Sequence, residues 1–293
     1  MKKLSLVLCA FAMLITLSGC KDARAEISNG NEEFVSVEGV SITKDDIYQL
    51  LKANAGNTTI TMIQEEIAKK EDIKLTDDMK KEAKKSLKEL KKSFGGDEAF
   101  KSALKQYGFK DENDYLEKAS YPAMKTSALM KKYATENKKA VFEKYHPVKA
   151  VVIQAESKEK ATSALEALKN NETPKQIVAD YGKKEVFDGS EKVYYLNSGL
   201  PAVVFDKIAA TTKAGVIDEV IEDAGTQSFF VVKIVNLDPE KYSEEAIDAI
   251  SKGSGELNND MLKHYLKKYN FTIYDIDIYN QVKRINEGFI VQK

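Results

Sequence analysis

Tryptophan is absent from this 293-residue chain, and histidine occurs only at His146 and His264. That removes most routes to imidazole catalysis or a His-ligated metal before any motif is sought. Cysteine is equally scarce, with Cys9 and Cys20 the only two. The chain has no Gly-rich phosphate loop, no paired Cys or His at metal-ligand spacing and no nucleophile elbow, so neither a cofactor nor a metal is expected. Charge of one sign is also missing: 45 basic residues face 46 acidic ones. So even a balance argues against nucleic acid as a partner, while the many Lys and Glu point to long solvated helices.

What is present begins with an export leader. Met1-Lys2-Lys3 precedes an apolar run from Leu4 to Leu17, and Leu17-Ser18-Gly19-Cys20 closes it with small residues and a cysteine. The run of about fourteen residues is short of the roughly 20 that a membrane-spanning helix needs. Leu-Ser-Gly-Cys has the form of a lipobox, in which the cysteine sulfur receives a diacylglyceryl group and becomes the new N-terminus after cleavage. Residues 1–19 are therefore expected to be a lipoprotein signal peptide, Cys20 the lipidation site and 20–33 a lipid-anchored tether, which places the chain on the outer face of a bacterial cell membrane. The alternative is an ordinary secretory signal whose cysteine is incidental. Two acyl chains, at about 0.8 kcal/mol per buried methylene, make a stable anchor. Because Cys9 lies in the leader, the mature chain can hold no internal disulfide and must rest on its core.

The rest reads as an α+β chain. Phe34 to Val40 alternates as a strand, and Thr43 with Asp46 forms a capping box that starts a helix through Leu51. Met79, Ala83, Leu87, Leu90 and Phe94 make one apolar stripe on an exposed helix. Gly95-Gly96 stops it. Phe100, Leu104 and Tyr107 carry a shorter helix, and a further stretch from Asp111 is bent near Pro122 and runs to about Tyr145. At His146-Pro147 the texture changes to compact alternation: strand 148–153, helices at Ala161–Leu168 and from Thr173-Pro174 to Tyr181, strand 193–196, a helix through Pro201, Val204, Phe205 and Ile208, and strands 216–221 and 228–235. After Pro239 the helical texture returns. Ser243 is expected to cap a helix, Leu257, Met261, Leu262 and Tyr265 share one side, Phe271–Tyr274 reads as a strand, and a short helix starts near Asp277. The expected organisation is one discontinuous helical domain, 34–146 with 237–293, because neither flank alone closes a core, and an inserted unit at 147–236 with a four-stranded sheet packed with helices.

This arrangement resembles the PrsA-type foldase lipoproteins of Gram-positive bacteria, relatives of the SurA chaperone, over nearly the whole mature chain. The family opening Val-Asn-Gly-x-x-Ile-Thr-Lys-x-Glu is met by Val37-Glu38-Gly39-Val40-Ser41-Ile42-Thr43-Lys44-Asp45-Asp46. The family's Phe-x-x-x-Leu-Lys-Gln-x-Gly is met by the stretch from Phe100 to Gly108. The resemblance implies a SurA-like helical domain with 147–236 as a parvulin, the peptidyl-prolyl isomerase domain of these proteins. Parvulins stabilise the twisted amide with two core histidines, a nearby Cys or Asp and an apolar proline pocket. Here the strand form Ala-Ser-His-Ile-Leu is matched by Ala150-Val151-Val152-Ile153-Gln154, which puts Val152 at one histidine position. Gly-Tyr-His-Ile-Ile-Lys is matched by Ser228-Phe229-Phe230-Val231-Val232-Lys233, which puts Phe230 at the other. The Cys or Asp position falls around Lys183 and Lys184. Gly189 to Tyr195 aligns with Gly-Gly-Asp-Leu-Gly-Trp-Phe, so Lys192 takes a Leu position and Tyr194 and Tyr195 the aromatic ones; Pro201 takes a Met position and Phe205 keeps the Phe.

The resemblance implies an extracytoplasmic foldase or chaperone that assists secreted proteins after translocation, with unfolded exported chains, the membrane and a second copy of itself as partners. Val152 and Phe230 imply a degenerate pocket with no catalytic residue. An active prolyl isomerase and an adhesion or solute-binding lipoprotein are the alternatives.

Overall fold

Thr43 sets the first helix by the expected capping box: its hydroxyl accepts from the Asp46 N–H at 3.2 Å, and its own N–H donates to the Asp46 carboxylate at 2.8 Å. The computed structural model describes residues 23–183 and 187–292. Cys20, the leader 1–19 and Lys184 lie outside them. From the N-terminus come β1 (Glu33–Val37), β2 (Val40–Thr43), α1 (Lys44–Lys52), α2 (Ala55–Lys70), α3 (Asp77–Ser93), α4 (Asp97–Gln106) and α5 (Glu112–Tyr115), which a π-helical turn over Leu116–Ser120 joins to α6 (Tyr121–Glu136). Next are α7 (Lys138–Tyr145), β3 (Val148–Ala155), α8 (Lys158–Lys169), α9 (Pro174–Tyr181), β4 (Lys192–Tyr194), α10 (Ala202–Ala210), β5 (Gly215–Val216), β6 (Ile221–Asp223) and β7 (Ser228–Asn236). The chain ends with α11 (Ser243–Gly253), α12 (Gly255–Lys268) and α13 (Ile276–Ile285). The class is α+β. Among the described residues no helix is long and apolar enough to cross a membrane.

The chain divides into two compact units, Met1–Thr126 with Asp260–Lys293, and Ser127–Asn259. The first unit is built from both flanks. In it the stripe on α3 turns Ala83 and Leu87 into a core with Phe100, Leu104, Leu116 and Tyr121, as the spacing requires. Phe94 remains partly exposed but meets Phe100 edge-on at 5.6 Å. Gly95 and Gly96 stop the helix with φ of +87° and +113°, backbone that only glycine adopts without strain. The π-helical turn lies immediately before Pro122, whose missing N–H leaves a carbonyl of the preceding turn without its helical donor.

Two expectations in this unit change, and one helix is new. The single strand 34–40 is a hairpin, because Glu38 and Gly39 take φ of +45° and +83° and fold β1 back onto β2. Phe271–Tyr274 is not a strand: the Ile273 N–H and C=O are held by the Gln292 side-chain amide at 2.6 and 3.2 Å, so no partner strand is needed and β-propensity is overridden by context. Helix α2, absent from the sequence reading, buries Ile60, Ile67 and Ala68.

The two flanks are locked at α1 and α13. Lys52, 4% exposed, places its ammonium 2.7 Å from the Asp275 carboxylate and 3.0 Å from that of Asp277. Asp275 also caps α13 and accepts from the Ala25 N–H at 2.6 Å. One turn further along α13, Gln281 donates to the Lys52 carbonyl at 2.7 Å and accepts from the Gly56 N–H at 2.8 Å. A Cβ at position 56 would lie 2.9 Å from Gln281 Cβ, so the backbone approach requires glycine.

In the second unit the antiparallel sheet has the order β4-β3-β7-β5, with β6 also on β7. It has five strands where four were expected: the stretch 216–221 breaks into β5 and β6, each pairing a different part of β7. One face of β3 and β7 packs on α8 and α9 through Val151, Ile153, Ala161, Ala164, Leu168, Ile177 and Val231. Tyr145, Phe142, Ile247, Ile250 and Leu257 form a separate cluster. Ser243 is the first residue of α11 and makes no cap; Tyr242 occupies the cap position.

Burial works against the Lys52 charge, yet the hydrogen bonds and field of Asp275 and Asp277 hold its ammonium above the usual lysine range. Burial likewise opposes the Asp275 charge, but Lys52 and the N–H groups of Ala25 and Ile278 draw its carboxyl down to about 2. Lys52→Ala strands a buried carboxylate and is expected to cost roughly 3–5 kcal/mol at neutral pH, read by urea unfolding. Since the folded carboxyl titrates below the unfolded one, its contribution is complete above about pH 4 and fades toward pH 2, where wild type and variant should converge.

Candidate functional site

The residues marked by the sequence sit on and around the other face of the sheet. Alternation along β3 turns Val148, Ala150 and Val152 to this side, and along β7 Phe230, Val232 and Ile234. Val152 pairs with Val232 and Gln154 with Phe230, so Val152 and Phe230 are diagonal neighbours, a spacing of about 7–8 Å that side chains bridge. Both are closed off from solvent, at 1% and 2% exposure. Tyr194 from β4, Val204 and Ile208 from α10, Ile221 and Phe187 complete the cluster. Phe187 meets Phe230 edge-on, with ring centroids 5.8 Å apart and an interplanar angle of 85°.

The remaining marked residues are spread around this core. Phe205 is buried on α10, and Pro201 begins that helix, its carbonyl accepting from the N–H groups of Val204 and Phe205 at 2.9 and 3.1 Å. Lys192 is exposed and pairs with Asp188 at 3.1 Å. Asp188 accepts from the Ser190 hydroxyl first and from Lys192 next, which hold its carboxyl well below the usual range. Tyr195 belongs to the separate cluster of Tyr145, their rings 6.3 Å apart. Lys183 is exposed at the sheet's end, its N–H donating to the Gln154 carbonyl at 2.8 Å.

The side chains that line this face are mostly apolar. Neither Val152 nor Phe230 carries a proton donor or acceptor, and the titratable group in the cluster is the Tyr194 phenol, which burial and then the Asp188 charge push up to about 12. Two apolar side chains at these positions leave no buried polar partner unsatisfied. Polar chemistry survives at the end of the sheet, where the Gln154 amide donates to the Ser228 hydroxyl at 2.9 Å. Phe187 was missed by the sequence reading; an aromatic alone in a Lys- and Glu-rich loop was the signal that could have found it.

No protein-family model matches the chain. Among curated proteins it is 29% identical over 305 residues to the foldase protein PrsA of Lactococcus lactis, a match covering 93% of this chain and 92% of that protein. It is 28% identical over 286 residues to foldase protein PrsA 2 of Bacillus cereus, covering 93% of each. The chain is a relative of the PrsA foldases. Among solved structures, the crystal structure of foldase protein PrsA from Streptococcus pneumoniae aligns with 88% of this chain and 100% of that one at 23% identity, with a TM-score of 0.47.

Relatedness to the PrsA foldases spans both flanks and the sheet-bearing unit alike. Tyr194 offers a test of how dry the sheet's inner face is. A phenol whose folded pKa exceeds its unfolded value near 10 contributes stability that is complete below about pH 10 and is lost as pH rises toward 12. Tyr194→Phe should therefore flatten part of the alkaline loss between about pH 10 and 12 in thermal melts, leaving neutral-pH stability within about 1.5 kcal/mol.

Proposed function

We propose that the chain is an extracytoplasmic foldase, held at the outer face of the cell membrane by a diacylglyceryl group on Cys20, that helps exported proteins fold after translocation. The single observation that carries this reading is the match to PrsA foldases over 93% of the chain, joined to a leader that ends in Leu17-Ser18-Gly19-Cys20. Its partners are unfolded or partly folded exported chains, and residues 20–33 are its tether.

The parvulin-like domain, 147–236, acts as a packing or peptide-contacting module and not as an isomerase. X-Pro isomerisation faces a barrier of about 20 kcal/mol, and lowering it requires groups that interact more strongly with the twisted amide than with the planar one. With Val152 and Phe230 at the histidine positions, the buried centre offers that amide dispersion contacts and no imidazole. Lys192, Tyr194, Tyr195, Pro201 and Phe205 are then remnants of a pocket.

Binding of clients or of a second copy draws on apolar surface in the first unit. Phe34, Val37 and Val40 on the hairpin and Leu50 and Leu51 on α1 are 63 to 71% exposed. A homodimer through this surface would leave sheet edges and apolar side chains covered.

Three measurements test the reading. In refolding of a proline-limited substrate, the chain is expected to stay within about tenfold of the uncatalysed rate; a larger acceleration defeats the inactive-scaffold claim. It should suppress aggregation of an unfolded model protein at stoichiometric amounts, which a solute-binding lipoprotein would not do. Cys20→Ser should move the protein from the membrane fraction to the soluble one.

A further inference from the structure

The chain answers nearly every demand for positive charge with lysine. Of its 45 basic residues only two are arginine, Arg24 and Arg284. They lie near opposite ends of the sequence, yet both line one cleft of about 510 Å³ beside α1 and α13. Lysine serves as well as arginine for a solvated charge; arginine differs in a rigid, planar fork that grips an oxyanion through two hydrogen bonds.

Not every cation of the cleft has a partner. Lys52 lines it and meets Asp275 and Asp277, and Arg24 reaches Asp277 at 3.8 Å. Arg24 and Lys52 are thus paired, whereas Arg284 has no ion-pair partner among the described residues. One guanidinium in the cleft is left without a counter-charge. Asn280 and Gln49 line the same space, the Gln49 amide already donating to the Asp45 carboxylate at 3.2 Å. A monoanion would satisfy that guanidinium, whereas a dianion such as a phosphate monoester, whose second pKa is about 6, would add a surplus negative charge beside Asp277.

The position of Arg24 narrows the class of monoanion. It is four residues beyond Cys20, a distance that extended chain spans in at most about 14 Å. We propose that this cleft binds a phosphodiester monoanion, supplied by the lipid headgroups of the membrane that holds the anchor. The site itself rests on the residues of α1, α13 and the segment before β1; only the lipid source of the phosphate rests on the anchor proposed above. Headgroup binding there would fix the orientation of the first unit on the bilayer, which a flexible tether leaves free.

The scarcity of arginine makes the site easy to watch. In the full chain carrying Cys20→Ser, which cannot be lipidated, the side-chain Nε–H region of a nitrogen-correlated NMR spectrum holds two arginine signals, assigned by Arg24→Lys and Arg284→Lys. Titration with glycerophosphoglycerol, the deacylated headgroup, should shift both signals saturably. Arg284→Ala should weaken that binding by about tenfold without moving the melting temperature, since the side chain is exposed. Flotation with phosphatidylglycerol vesicles should fall in the same variant; the leader is common to both chains and cancels. Inorganic phosphate binding more tightly than the diester, with flotation unaffected by Arg284→Ala, would overturn the lipid source in favour of a free anion. Acetate shifting the signals equally well, or no saturable shift with any probe, would overturn the phosphodiester site. Neither failure touches the refolding and aggregation tests of the foldase reading.

Discussion

Lys52 is buried with its charge intact, and the rest of the first unit hangs on what neutralises it. Its ammonium sits between Asp275 and Asp277, residues more than two hundred positions away in sequence. An isolated buried ammonium would cost several kcal/mol in desolvation, and the two carboxylates must offset that with close geometry. They do so only if α13 begins where it does, with Asp275 as its cap. Gln281 then falls six residues later, where its amide saturates the Lys52 carbonyl and the Gly56 N–H. Register between the flanks is therefore set by polar complementarity, while the area contributed by Ile60, Ile67 and Val282 supplies burial without fixing alignment.

The second unit shows the opposite economy. Its central face is apolar apart from the Tyr194 phenol, and Val152, Phe230 and Phe187 fill the space. A sheet of this kind keeps its geometry because β3 and β7 pair along their full length and are covered on both sides. Val152 and Phe230 are compatible with a stable fold for this reason: neither side chain has a polar group that burial could strand.

Much of this was legible in the sequence, and what was not has physical causes. The stripe from Met79 to Phe94 gave α3 because a 3.6-residue period has one structural meaning on an exposed helix. The Thr43 and Asp46 pair gave the start of α1 because the capping box is local chemistry. Phe271–Tyr274 misled because strand-forming residues without a partner strand are only extended coil, and the partner that mattered was the side chain of Gln292. The hairpin at Glu38-Gly39 was hidden because the left-handed conformation of Glu38 breaks no composition rule. In the site, Val152 and Phe230 could be placed by strand alignment, whereas the covering role of Phe187 and the Gln154–Ser228 pair depend on long-range packing that no local pattern encodes. The convergence of Arg24 and Arg284 belongs to the same class: composition shows that they are rare, but only the closed fold shows that they meet.

Gly56 pressed against Gln281 also bears on the order in which the chain can acquire structure. Residues 127–259 are continuous, so their sheet can form as soon as that stretch is free to fold. The first unit cannot: the turn between α1 and α2 stays open until a helix some 225 positions later arrives to occupy it. A chain that emerges amino end first, as any chain does in synthesis, would thus leave its leading helices and hairpin exposed until its last segment is released.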